Sequence, residues 1–200
     1  CSSEVSFARL VERTGELKAS DVDSCNELLQ AFKARTSDEH LRTMALFNLG
    51  VVAQTCGKRE LAISSYREAL DARPSLSQAR VRLALLDSSL SHDARVAVLQ
   101  KAVLDSSYTD AEALLELGRA QRLRNSREED QDGPNDRERA RKNFMRALAV
   151  QDRLSAARNE LAMLQLDLAR DESGRSSSLL NRDPKQPKLA TQSLELALLL

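Results

Sequence analysis

The chain has 200 residues, 42% hydrophobic and 30% charged, enough apolar material for one folded unit or a short array. Thirty basic and thirty acidic residues cancel to zero net charge, which removes the electrostatic footprint expected of a nucleic-acid binder. The sequence holds no run of about 18 apolar residues, the length a membrane-spanning helix needs. Six glycines, four prolines and no tryptophan accompany runs rich in Ala, Leu, Arg, Glu and Gln, the strongest helix formers. An all-α chain is expected.

In chain order, residues 1–4 read as a short tether, and "SFARLVERTGELK" with "NELLQAFKA" predicts a helical pair over 5–36. Ser24 and Glu27 have the spacing of a capping box for the second of these helices. Thr36 and Glu39 repeat that start signal ahead of the next element. The remainder, 37–200, reads as a repeat array. Residues 43–76, "TMALFNLGVVAQTCGKRELAISSYREALDARPSL", place Leu46, Leu49, Gly50, Ala62, Tyr66, Ala69 and Pro74 at repeat positions 4, 7, 8, 20, 24, 27 and 32. Small residues at 8, 20 and 27 let two antiparallel helices approach, and large ones at 4, 7 and 24 fill the seam. Pro74 closes the second helix.

A step of 34 residues leads to Ser77, with Leu83 and Ala84 at positions 7 and 8 and a degenerate second helix in "DARVAVLQKAVL". Another step leads to Ala111, with Leu114, Leu117 and Gly118 at positions 4, 7 and 8. The set Ala140, Phe144 and Ala147 follows ten residues late, delayed by an acidic insertion at about 125–136, "NSREEDQDGPND". A fourth repeat starts at Ser155 with Leu161 and Ala162, and its second helix is expected at Ala190, Leu194 and Ala197 after a further insertion at 171–188. Both insertions are expected as spacers or partner-recognition loops at hairpin tips.

This pattern resembles the tetratricopeptide repeat, a helix-turn-helix of 34 residues, and implies an all-α superhelix of stacked antiparallel hairpins. The resemblance implies a concave groove lined by the first helix of each repeat. On this chain the groove residues are Met44, Phe47, Asn48, Val51, Gln54, Gln78, Val81, Arg82, Leu85, Glu112, Leu115, Arg119, Arg122, Asn159, Met163 and Leu166. Asn48 and Arg82 match part of the clamp by which some members grip a terminal carboxylate. Its lysine is missing, with Gln78 in that place.

Catalysis is not expected. His40 and His92 lie far apart without ligand-spaced neighbours, and no phosphate-binding loop or nucleophile elbow is present. Asp130, Asp132, Gly133 and Asp136 sketch a calcium loop but lack its terminal glutamate. No metal, cofactor or small-molecule substrate is expected.

In the implied architecture Cys25 opens one helix and Cys56 closes the antiparallel helix beside it, so the two thiols can meet. Two readings stand: separate buried thiols, or a disulfide contributing about 3 to 4 kcal/mol and requiring an oxidising compartment such as the periplasm. Cys1, followed by small residues, is either an arbitrary first residue or a lipidation site resembling that of a mature bacterial lipoprotein. Ser2, in place of an inner-membrane retention aspartate, then points to the outer membrane.

"SCNELLQAF", "LFNLGVVAQTCGK", "ARVRLALL", "LQKAVLDSSYTDAEALLELG" and "FMRALAVQDRLSAARNELAMLQL", within roughly 20–170, resemble the tetratricopeptide lipoproteins of the myxobacterial adventurous gliding-motility complex. That resemblance implies a non-enzymatic, lipid-anchored scaffold on the periplasmic face of the outer membrane, contacting other envelope motility proteins. A pilotin-like lipoprotein that escorts a secretin, or assists type IV pilus assembly, and a cell-wall enzyme accessory are the alternatives. The apolar end "SLELALLL" docks on the last repeat or is covered by something else.

Overall fold

The computed structural model describes residues 6–123 and 136–182. Among them are nine helices and no strand: α1 (Phe7–Glu16), α2 (Val22–Arg35), α3 (Arg42–Thr55), α4 (Arg59–Ala72), α5 (Ser77–Leu86), α6 (His92–Asp105), α7 (Ala111–Leu123), α8 (Asp136–Val150) and α9 (Ser155–Arg182). Consecutive helices pack as antiparallel hairpins, and odd-numbered helices also touch one another along one side of the stack (α1 with α3, α5 with α7, α7 with α9). The result is an all-α, tetratricopeptide-like superhelix.

The seam chemistry is clearest in two hairpins. Gly50 on α3 faces the Tyr66 ring on α4, and a Cβ built on Gly50 would lie 2.6 Å from Tyr66 Cε1. Gly118 on α7 faces Phe144 on α8, with the equivalent separation 2.5 Å. A hydrogen at Cα is therefore all the space allows, and each ring fills the seam with zero exposure. The partners stand sixteen residues apart in the first case and twenty-six in the second, so the ten-residue insertion leaves the helical register intact. Ala62, Ala69, Ala140 and Ala147 are likewise fully buried, as close helix approach demands.

Two core clusters meet near α5. One joins Leu28, Phe32, Leu46, Leu49, Val52 and Tyr66 with the edge of α1; the other joins Leu99, Val103, Leu114, Leu117 and Phe144 with the start of α9. At the first end, Phe7 meets Phe32 edge-on at 5.8 Å between ring centres, and Arg13 makes a two-pronged pair with Glu27 at 2.8 and 3.0 Å. Burial rather than propensity holds these short helices together.

Helix starts depart from the expected capping boxes. The α2 N-cap is Asp21, whose Oδ1 accepts from Ser24 N at 3.0 Å, so Ser24 lies inside the first turn. Thr36 ends α2 instead of starting α3: its hydroxyl donates to Lys33 O at 2.8 Å, and α3 begins six residues later at Arg42. Local side-chain bonds at helix ends use the same residue types as starts, which is why the pattern misassigned them. Arg73 is extended ahead of Pro74, which stops α4 as expected. The expected break at 171 is corrected too: α9 continues to Arg182, because no proline interrupts its backbone ladder before Pro184. Cys1, the acidic insertion and the second helix at Ala190, Leu194 and Ala197 lie outside the described residues, except that Asp136 opens α8.

Candidate protein-binding face

The odd helices line one face and carry the residues that the repeat positions assign to a groove. α3 supplies Met44, Phe47, Val51 and Gln54; α5 supplies Gln78 and Leu85; α9 supplies Asn159 and Met163. Met44 is 37% exposed, Leu85 43% and Met163 45%, large apolar side chains left uncovered on three of the first helices, α3, α5 and α9. Phe47 and Val51 are half-buried, with the Phe47 ring 5.8 Å from that of Tyr66. Gln78 and Asn159 are exposed polar neighbours.

Several expected groove residues are not presented to a partner. Asn48 is buried and its Nδ2 donates to Met44 O at 2.8 Å, so its amide is spent within its own helix. Leu115 on α7 and Val81 on α5 are buried as well, because these two first helices pack against each other and both residues join the core there. Arg82 reaches across to Glu112 on α7 at 3.1 Å. With Asn48 turned inward and Arg82 paired, the partial carboxylate clamp is not assembled.

Arg119 and Arg122 form instead a lattice between first helices. Arg119 Nε lies 2.8 Å from Glu160 on α9 and its Nη1 2.6 Å from Glu116; Arg122 lies 3.2 Å from Glu160 and 3.2 Å from Asp167. Burial works against the Arg119 charge, but hydrogen bonds and the field of Glu160 and Glu116 outweigh it and hold the guanidinium above its ordinary value. Arg122 Nε meets Glu160 Oε2 as an ion pair without hydrogen-bond alignment. These half-buried cations fix the angle between repeats, since removing one partner strands the other charge.

The seam below the face is electrostatically quiet. Tyr66 donates its hydroxyl to Gln54 Oε1 at 3.0 Å, and burial pushes its pKa up to about 12, with Arg82 opposing the rise and Glu112 adding to it. Glu112 is itself raised, first by burial and then by Asp110 and Glu116, against the pull of Arg82. Sequence reasoning missed Glu160 and Asp167; carboxylates on the fourth first helix facing arginines on the third were the available signal.

Cys25, in the first turn of α2, and Cys56, the C-cap of α3, are joined with Sγ–Sγ 2.07 Å and Cα–Cα 6.0 Å. The bridge fastens the terminal pair to the first repeat. Among the described residues no group of three or more His, Cys, Asp or Glu is arranged to hold a metal ion, and no helix is long and apolar enough to cross a membrane.

Solved structures share this fold. A thermophilic tetratricopeptide protein of Thermus thermophilus, TTC0263, superposes with TM-score 0.58 at 19% identity, covering 98% of this chain and 100% of that one. The protein MamA gives 0.56 at 16% identity, covering 86% and 90%. The first tetratricopeptide domain of Spaghetti (RPAP3), bound to the HSP90 peptide SRMEEVD, gives 0.51 at 22% identity, covering 64% of this chain and 93% of that one. No protein-family model and no curated protein matches the sequence. The chain is thus tetratricopeptide-like by fold.

Proposed function

We propose that the chain is a non-enzymatic scaffold of a bacterial envelope motility machine, binding other subunits of that machine along its first-helix face. The observation that carries the binding role is the line of exposed apolar side chains Met44, Leu85 and Met163 on three first helices. An apolar patch in a polar rim is the usual mark of a protein contact. That a similar fold accepts the HSP90 peptide in Spaghetti supports protein partners in general. The motility assignment rests on the sequence resemblance over roughly 20–170, and the Cys25–Cys56 bridge supports an oxidising compartment such as the periplasm. A lipid on Cys1 and attachment to the outer membrane belong to the same reading.

The test is purification of the tagged protein from detergent-extracted envelope of its own host, with its partners identified by mass spectrometry and its N-terminal peptide weighed. Recovery of motility subunits, with acyl chains on Cys1, is expected. Recovery of a secretin alone would replace this reading with the pilotin one, in which the apolar face receives a helical tail. An unmodified Cys1 would remove the anchor.

A further inference from the structure

The even-numbered helices carry a second surface. Between α6 and α8, over α7, runs a groove of about 320 Å³. Its floor is apolar, with Leu104 60% exposed, and one wall is formed by the Tyr108 ring beneath the Arg146 guanidinium, 5.2 Å from the ring centre. Arg139 and Lys142 line the groove from the same helix as Arg146, and among the described residues no carboxylate lines the groove. At its base the buried amides of Gln121 and Asn143 are joined, Asn143 Nδ2 donating to Gln121 Oε1 at 2.8 Å.

The molecule contains its own control. The same groove recurs between α2 and α4, over α3, and the repeat register equates its residues one by one. Where the third repeat has Arg139, Lys142, Asn143 and Arg146, the first has Leu61, Ser64, Ser65 and Glu68. Gln121 stands where the first repeat has Ala53, a fully buried filler. At these matched positions the scaffold therefore needs neither the cations nor the amide pair; the first-repeat groove carries its own cations elsewhere, Lys33 and Lys58, with Glu68 among them. The turn that delivers Tyr108 is also costly. Ser107 and Tyr108 are both left-handed, with φ of 52° and 64°, where the turn after α3 uses Gly57 at 71°. Side-chain-bearing residues held in that region cluster at working sites.

We propose that this groove binds an acidic peptide segment of a protein partner. An aliphatic side chain of the segment seats on Leu104 and Tyr108, its carboxylates meet Arg139, Lys142 and Arg146, and its backbone reaches the Gln121–Asn143 amides. Arg139 and Lys142 now pair with Asp136 and Glu138 one turn back on their own helix at 3.2 and 3.1 Å; the Lys142–Glu138 contact is exposed on both sides and a ligand carboxylate displaces it at little cost, while Asp136 is mostly covered. Among the described residues Arg146 has no carboxylate partner. Charge complementarity and the bidentate preference of arginine select an acidic occupant. The proposal is independent of the first-helix face, and stands or falls separately from it.

The experiment is an NMR titration of the isotope-labelled full chain with a short synthetic peptide of alternating Glu and Leu, alongside versions with Lys for Glu and Ser for Leu. Saturable shifts of the Gln121 and Asn143 side-chain amides and of Leu104 and Tyr108 are expected with the Glu/Leu peptide only. Arg146→Glu weakens that binding about tenfold or more, as loss of a close charge pair does, whereas Glu68→Arg in the first-repeat groove leaves it unchanged. Shifts confined to the first-helix face, equal binding of the Ser version, or no saturation at millimolar peptide would each overturn the proposal.

Discussion

The hairpins α3–α4 and α7–α8 are the same object below the surface and different objects at it. Both close on a glycine under an aromatic ring, Gly50 under Tyr66 and Gly118 under Phe144, with alanines at the same flanking positions. At position 12 they part. Gln54 turns back to hold the Tyr66 hydroxyl at 3.0 Å, while Phe144 offers no hydroxyl and Arg122 reaches forward to Glu160 and Asp167 on the next repeat. The first hairpin is tied backward by a disulfide; the third is tied forward by ion pairs. Repeat architecture thus fixes the seam, and each repeat's outward positions are left to decide what it grips.

Removing the seam rings tests the shared half hardest. Tyr66→Ala and Phe144→Ala should each destabilise by about 3–5 kcal/mol, as emptying a fully buried aromatic site does. Urea unfolding that showed one variant near wild type would mean the two hairpins are not equivalent. Next in size is the difference between them. Replacing Cys25 and Cys56 together by serine should cost about 3–4 kcal/mol from lost loop-closure entropy, and hydrogen exchange should speed up in α1, α2 and α3 but not in α7 and α8. Gly50→Ala and Gly118→Ala should each cost about 1–3 kcal/mol through overpacking against a ring that has no room to move. Equal penalties sharpen the comparison, and a neutral Gly118→Ala would break it.

The smallest effect is a pH dependence. Burial raises the Glu112 carboxyl in the folded chain, so the folded state takes up a proton at a pH where the unfolded state does not. Its contribution to stability therefore grows as pH falls through the raised folded value and levels off below the ordinary one. Against Glu112→Gln, the wild type should gain relative stability between neutral and mildly acidic pH, measured by urea midpoints at each pH. A difference that stays constant over that range would contradict the assigned burial.

Much of this was legible in the sequence because the seam is written in residue size. Gly50, Ala62, Tyr66 and Ala69 recur as Gly118, Ala140, Phe144 and Ala147, and size at fixed spacing survives an insertion. The face was less legible. Asn48 and Arg82 have the identities of a clamp, but whether an amide points to a partner or to Met44 O depends on a local hydrogen bond that identity does not encode. Leu115 and Met163 look alike in sequence; a first helix on each side buries one, while the other stays 45% exposed. The helix starts failed for a related reason, since Ser24 and Thr36 bond their neighbours wherever the chain turns. Comparing the first and third repeats position by position would have revealed Arg139, Lys142 and Arg146 as a departure from Leu61, Ser64 and Glu68.

The most direct measurement is site-specific photocross-linking in the native host, with the probe placed in turn at Met44, Leu85, Lys142 and Ser64. A scaffold that works through its repeat-specific surfaces predicts cross-links to other proteins from Met44 and Leu85 on the first-helix face and from Lys142 in the basic groove, with none from Ser64 at the matching position of the first repeat. Cross-links from Ser64 as strong as those from Lys142, with none from Met44 or Leu85, would contradict it.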